Sequence, residues 1–211
     1  MIKYLVTPTL IQSWQYWMNY DGENEQSVHN SFLSTLKREK TEPTQAMLKG
    51  IEFEKKIIEC ASIKPWEDQE YLASIENNPI DPVLSIAEIV TDGMFQTVLK
   101  KEITCNSYSL LLYGKADAIK EDMIYDIKYT SSYEVGKFAN SVQHLLYLYC
   151  ANLEKFDYLI SDGESFWRES YYLTSETIQS NLLQRISEFL SWLEDHISYK
   201  TIYQNKWLTQ Y

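Results

Sequence analysis

The 211-residue chain is long enough for one substantial core, burying roughly 70% of the surface an unfolded chain exposes, and its 45% hydrophobic and 23% charged residues, with only 6 Gly and 5 Pro, exclude collagen-like, disordered and low-complexity classes. Lys and Arg number 19 against 30 Asp and Glu, and the resulting formal net charge of −11 argues, taken alone, against a nucleic-acid binder. The three cysteines, Cys60, Cys105 and Cys150, form no Cys-x-x-Cys pair and read as buried reduced thiols, which indicates neither a disulfide framework nor a four-thiolate metal site.

The opening stretch Met1-Ile-Lys-Tyr-Leu-Val-Thr-Pro turns polar too soon for a signal peptide, and no apolar run approaches the ~18 residues of a membrane span, so a cytoplasmic protein is expected. Leu10, Trp14, Trp17 and Met18 have helical spacing and predict a first helix over Thr9 to Asn19, with Thr7 or Thr9 as N-cap. Asp21 to His29 reads as a loop, and Ser31 to Lys40 as a short basic helix. Met47, Leu48, Ile51, Phe53, Ile57 and Ile58 predict an amphipathic helix over Thr44 to Glu59. Gly50 inside it costs about 1 kcal/mol relative to Ala and so marks an expected close approach.

Asp81 to Asp92 predicts a further short helix. Met94 to Thr104, Ser109 to Ala118 and Met123 to Tyr129 are rich in Val, Ile, Leu, Tyr and Thr and read as a β-meander, with Glu121-Asp122 at a turn. Helical spacing returns over Ser131 to Glu154. Strands follow at Phe156 to Ser161 and Phe166 to Leu173 around Asp162-Gly163-Glu164, then a helix from about Glu176 to His196 with Thr174 and Ser175 as capping candidates. The expectation is one α/β domain over 1–211: N-terminal helices at 1–92, a sheet and helix at 93–155, a terminal hairpin and helix at 156–211, and about five strands in a central mixed sheet.

Asp117 and the triplet Asp126-Ile127-Lys128 fall on adjacent predicted strands joined by a tight turn. Positions 126 and 128 differ by two, so their side chains share one face, and Asp117 can stand beside Asp126 across the hairpin. Carboxylates held that close repel unless a cation lies between them, and oxygen-only ligation suits Mg²⁺ or Mn²⁺. A neighbouring lysine can orient or deprotonate water, or stabilise charge that builds up on phosphorus. Glu54-Lys55-Lys56 repeats the acid-x-Lys pattern, but on a helix, where i and i+2 do not face each other. Upstream, Gly50-Ile-Glu-Phe-Glu54 places a carboxylate one helical turn after the glycine. Downstream, Gln143-His-Leu-Leu-Tyr147 stacks an amide and a phenol at i and i+4. A similar Gln12-x-x-x-Tyr16 occurs near the start, so order is the informative property: helix glutamate, strand aspartate, Asp-x-Lys on the next strand, then Gln-x-x-x-Tyr on a helix.

In that order the sequence resembles the PD-(D/E)XK nuclease superfamily, specifically its RecB-like and phage-type exonuclease branch. Thr7-Pro-Thr-Leu-Ile-Gln-Ser-Trp resembles the branch's N-terminal helix, and Glu42 to Glu54 its Gly-x-x-x-Glu lead-in. The resemblance covers about residues 7–150. It implies a restriction-endonuclease-like core, with Glu54, Asp117 and Asp126 and the backbone carbonyl of Ile127 as ligands of Mg²⁺ or Mn²⁺. It implies Lys128 as the catalytic lysine, and Gln143 and Tyr147 as residues that position the triplet or contact DNA. The four cysteines of cluster-bearing relatives are missing, so no iron–sulfur cluster is expected. The activity implied is a metal-dependent deoxyribonuclease, an exonuclease on linear double-stranded DNA in phage-type recombination or repair. A recombinase or single-strand-annealing partner and a homo-oligomer belong to the same implication, and a membrane does not.

Other residues admit two readings. His144 is a structural histidine or a phosphate contact, while His29 and His196 stand alone. Lys37, Arg38, Lys40, Lys49, Lys55 and Lys56 form a solvated helix face or a DNA-backbone surface beside Glu54. Trp14, Trp17, Tyr16 and Tyr20 are core aromatics or a stacking platform for a splayed base, and Glu88 is a distant candidate for the metal site. The alternatives to a DNA exonuclease are a non-catalytic nucleic-acid- or protein-binding member of the same fold, and a nuclease acting on RNA or branched DNA.

Overall fold

The computed structural model describes residues 3–68 and 81–209. A short strand β1 (Lys3–Val6) leads into α1 (Pro8–Met18), α2 (Glu25–Lys37) and α3 (Gln45–Ile63), then α4 (Pro82–Val90). Side chains close these helices where the sequence supplies a cap: Thr7 accepts from the Leu10 N–H, Thr44 from Met47 and Asp81 from Val83. The meander follows as β2 (Met94–Cys105), β3 (Tyr108–Lys120) and β4 (Met123–Tyr129). Its first turn is Asn106-Ser107, both residues at positive φ, which matches the right-handed twist of the flanking strands. The chain continues through α5 (Val142–Ala151), β5 (Lys155–Ser161), β6 (Phe166–Tyr172), α6 (Ser175–Asp195), α7 (Ile197–Lys206) and β7 (Leu208–Thr209).

Seven strands form one mixed sheet in the order β6-β5-β4-β3-β1-β7, with β2 on the other edge of β3. β4 and β5 run parallel, as do β1 and β3, and the remaining pairs are antiparallel. Helices cover both faces. On one, Leu10, Phe32, Leu146 and Leu182 pack on Leu110, Leu112, Phe156 and Tyr158. On the other, Phe53, Ile57, Ile86 and Val90 pack on Tyr125, Ile127 and Leu159. Among the described residues no helix is long and apolar enough to cross a membrane.

The α/β class with a central mixed sheet agrees with the sequence expectation, but the strand count of about five does not. β1 and β7 supply the difference, with four and two residues. Both are too short to show a period and take their strand geometry from neighbours, β1 from Leu110–Leu112 of β3 and β7 from β1. α7 was likewise not expected. The helix anticipated over Ser131 to Glu154 is confined to Val142–Ala151. Hydroxyls end its N-terminal extension: Thr130 Oγ1 accepts from Ser132 N and Lys137 Nζ, and Ser141 caps Gln143. α2 begins at Glu25, inside the expected loop, because Phe32 and Leu36 bury one face of it. Gly50 makes no close approach either. A Cβ built there meets only Tyr129 Cβ, at 4.0 Å.

Candidate active site

β3 is paired with β2 from Tyr108 to Ile119 except at Asp117, whereas its other edge is shared between two strands. Leu110–Leu112 bond β1, Ala118–Lys120 bond β4, and the residues between have no strand partner on that edge. Side chains fill this fork. The Asp117 carboxylate accepts the Ile127 N–H through Oδ2 at 2.7 Å. The N–H and C=O of an extended residue point to the same edge, so the Ile127 carbonyl faces the fork too. Tyr147 Oη donates to the Lys115 carbonyl at 2.9 Å and accepts from its N–H at 3.4 Å. Gly114 makes room for that phenol, since a Cβ there would lie 2.3 Å from the Tyr147 ring.

Asp126 is 2% exposed on the opposite side of the fork. Its Oδ1 accepts from Gln143 Nε2 at 2.5 Å, and its Oδ2 lies 2.6 Å from Lys128 Nζ. Gln143 also donates to Tyr147 Oη at 3.3 Å, so the amide and phenol on α5 brace both sides of the fork. Glu54 projects from α3 into the same space, where its Oε1 accepts from the Gln96 amide of β2 and its charge acts on Asp117. Six residues read from the sequence, Glu54, Asp117, Asp126, Lys128, Gln143 and Tyr147, thus form one connected set. Gln96 and Lys115 join them without a sequence signal: neither belongs to a spaced motif, and both are placed by pairing across the hairpin.

All three acids are held above their ordinary pKa. Burial is the main cause for each. The charge of Asp126 adds to it at Glu54, and the charges of Asp126 and Glu54 add to it at Asp117, which stands well above the carboxylate range. Burial opposes the charge on Lys128, but the Asp126 carboxylate outweighs it and holds the ammonium above its usual value. Carboxyls held this close to one another must share a proton or surrender it to a cation. Among the described residues no group of three or more His, Cys, Asp or Glu forms a ready-made metal cage. The donor chemistry still fits a hard divalent ion, because Mg²⁺ keeps most of its waters and takes one or two carboxylates and a carbonyl from a protein.

No family model and no curated protein matches the chain. Among solved structures, SSO0001 is similar at 13% identity over 90% of this chain and 76% of its own, with a TM-score of 0.47. LHK-Exo in complex with dAMP gives 13% identity, 92% and 90% coverage, and a TM-score of 0.49. Rai1 from Scheffersomyces stipitis gives 13%, 92%, 62% and 0.36. These likenesses are too low to carry function, which rests on this chain's own residues.

The other candidates fall outside the fork. His144 is buried, stacked on Tyr171 with ring centroids 4.4 Å apart and 3.3 Å from Tyr158 Oη, so no phosphate reaches it. Trp14 and Trp17 belong to an aromatic core with Phe32, Phe189 and Trp192. His29 and His196 join the edge of that cluster, stacked on Trp17 and Trp192. Tyr16 is 61% exposed and lines, with Gln12, Lys137, Ser141 and Arg185, a polar cleft of about 770 Å³. The basic run is largely engaged locally: Lys55 with Glu59, Lys56 with Glu52, Lys37 with Glu39, and Arg38 over the Trp207 ring. Glu88 is exposed on α4.

Proposed function

We propose that the protein is a divalent-metal-dependent deoxyribonuclease that hydrolyses linear double-stranded DNA from its ends. One observation carries this reading: three mutually destabilising carboxyls and a charged lysine converge where β3 and β4 part, beside a backbone carbonyl. A structural ion-pair network would match charges, whereas this one gathers an excess of acid that a proton or a cation must relieve.

Asp117, Asp126 and the Ile127 carbonyl would hold the ion, with Glu54 completing the set. A bound Mg²⁺ or Mn²⁺ supplies a Lewis acid and an activated water for in-line attack on a phosphodiester. Lys128, paired with Asp126, would offset negative charge that builds up on the phosphoryl oxygens. Gln143 fixes the Asp126 carboxylate, and Tyr147 keeps the fork at its width by capping the Lys115 backbone.

The test is incubation of purified protein with end-labelled linear duplex and with circular duplex, in Mg²⁺, Mn²⁺ or EDTA. Loss of linear DNA only with metal, abolished by Asp126→Asn and by Lys128→Ala, is the expected result. Intact linear DNA, or degradation that both variants retain, overturns the proposal. RNA and branched DNA in the same panel define the substrate class.

A further inference from the structure

Gln96 lies in the left-handed region at φ 53, in mid-strand. The β2–β3 register runs on either side of it without slipping, from Phe95↔Ala118 to Thr97↔Ala116, which places Gln96 opposite Asp117. The hairpin turns over at this point. Before Gln96, Phe95 faces the α3–α4 layer, and beyond it Leu99, Ile103 and Cys105 face the opposite layer. On β3, Ala116 and Ala118 divide between the two layers in the same way.

A glycine would make that turn without strain, whereas an L-residue at positive φ crowds its Cβ against the backbone. Strained positions persist where the surroundings over-determine them. The glutamine side chain here ends on Glu54, where Nε2 donates to Oε1.

We propose that Gln96 is a positioning residue for Glu54, its strained backbone retained so that its amide can fix one carboxylate oxygen and turn the other toward Asp117 and the ion. The proposal rests on the metal-dependent nuclease reading and deepens it by adding an outer partner to the candidate ligand set. The amide is a donor at this contact, so it holds one Glu54 oxygen as an acceptor and leaves the other to be aimed. Outer partners of this kind change metal affinity by roughly 10- to 100-fold when removed.

Two variants separate the amide from the backbone. Gln96→Met keeps the length and the strain and removes the donor, while Gln96→Gly removes donor and strain together. Mn²⁺ binding is measured by titration calorimetry at fixed pH, and melting temperature without metal. Both variants are expected to bind Mn²⁺ at least about tenfold more weakly, with Gln96→Gly melting no lower than the parent. In a Glu54→Gln background, Gln96→Met is expected to cause no further loss. Wild-type Mn²⁺ affinity in Gln96→Met overturns the positioning role and leaves the nuclease reading standing. Absence of Mn²⁺ binding by the parent protein overturns both.

Discussion

Replacing Asp117 by Asn keeps an oxygen for the Ile127 N–H and removes one of three mutually repelling carboxyls. The metal-free protein is expected to melt higher than the parent, and the rise in melting temperature that Mn²⁺ gives the parent is expected to vanish along with cleavage; thermal scans with and without Mn²⁺ check both. His144 has the opposite character. Burial, with some help from the Arg185 charge, lowers its pKa to about 4, whereas in the unfolded chain it takes up a proton near 6.5. Its neutral form therefore stabilises the fold fully above about pH 6.5, and that contribution is lost as pH falls toward 4. Melting temperatures over this window are expected to drop more steeply for the parent than for His144→Phe. The raised acids of the fork act in the opposite sense but are common to both proteins. At this scale the acids and Lys128 were legible because their order along the chain carries information that single residues do not. Gln96 was not legible, because a backbone angle makes it notable and a sequence does not display angles.

Two glycines show where element-level reading succeeds and where it stops. Gly114 lies in β3 under the Tyr147 ring, so Gly114→Ala forces the phenol off the Lys115 backbone. Overpacking of this kind costs about 1–3 kcal/mol. Denaturant unfolding is expected to show that loss, with a larger proportional loss of nuclease activity as the fork widens. Gly50 invited the same argument from sequence, and the structure refutes it: a Cβ there has ordinary space, so Gly50→Ala is expected to stabilise the protein by about 0.5–1 kcal/mol through helix propensity. The periodic helices and long strands were legible because their own burial patterns define them. β1, β7 and the early start of α2 were not, because their conformation is imposed by partners distant in sequence.

For the whole molecule, the net charge of −11 and the local pairing of Lys37, Lys55 and Lys56 with acids leave little general attraction for a polyanion. DNA affinity is therefore expected to need a divalent ion at the fork and to fall steeply with salt. Gel-shift titrations in Ca²⁺ and in EDTA, at several NaCl concentrations, check this, and tight metal-free binding at physiological salt would contradict it. The gap in β3's ladder has one more effect. Because β1 and β4 meet β3 at separate points on the same edge, the sheet consists of two panels joined along a single spine. The candidate site occupies the notch between the panels, where the Asp117 side chain reaches the Ile127 N–H of β4 in place of a backbone ladder bond.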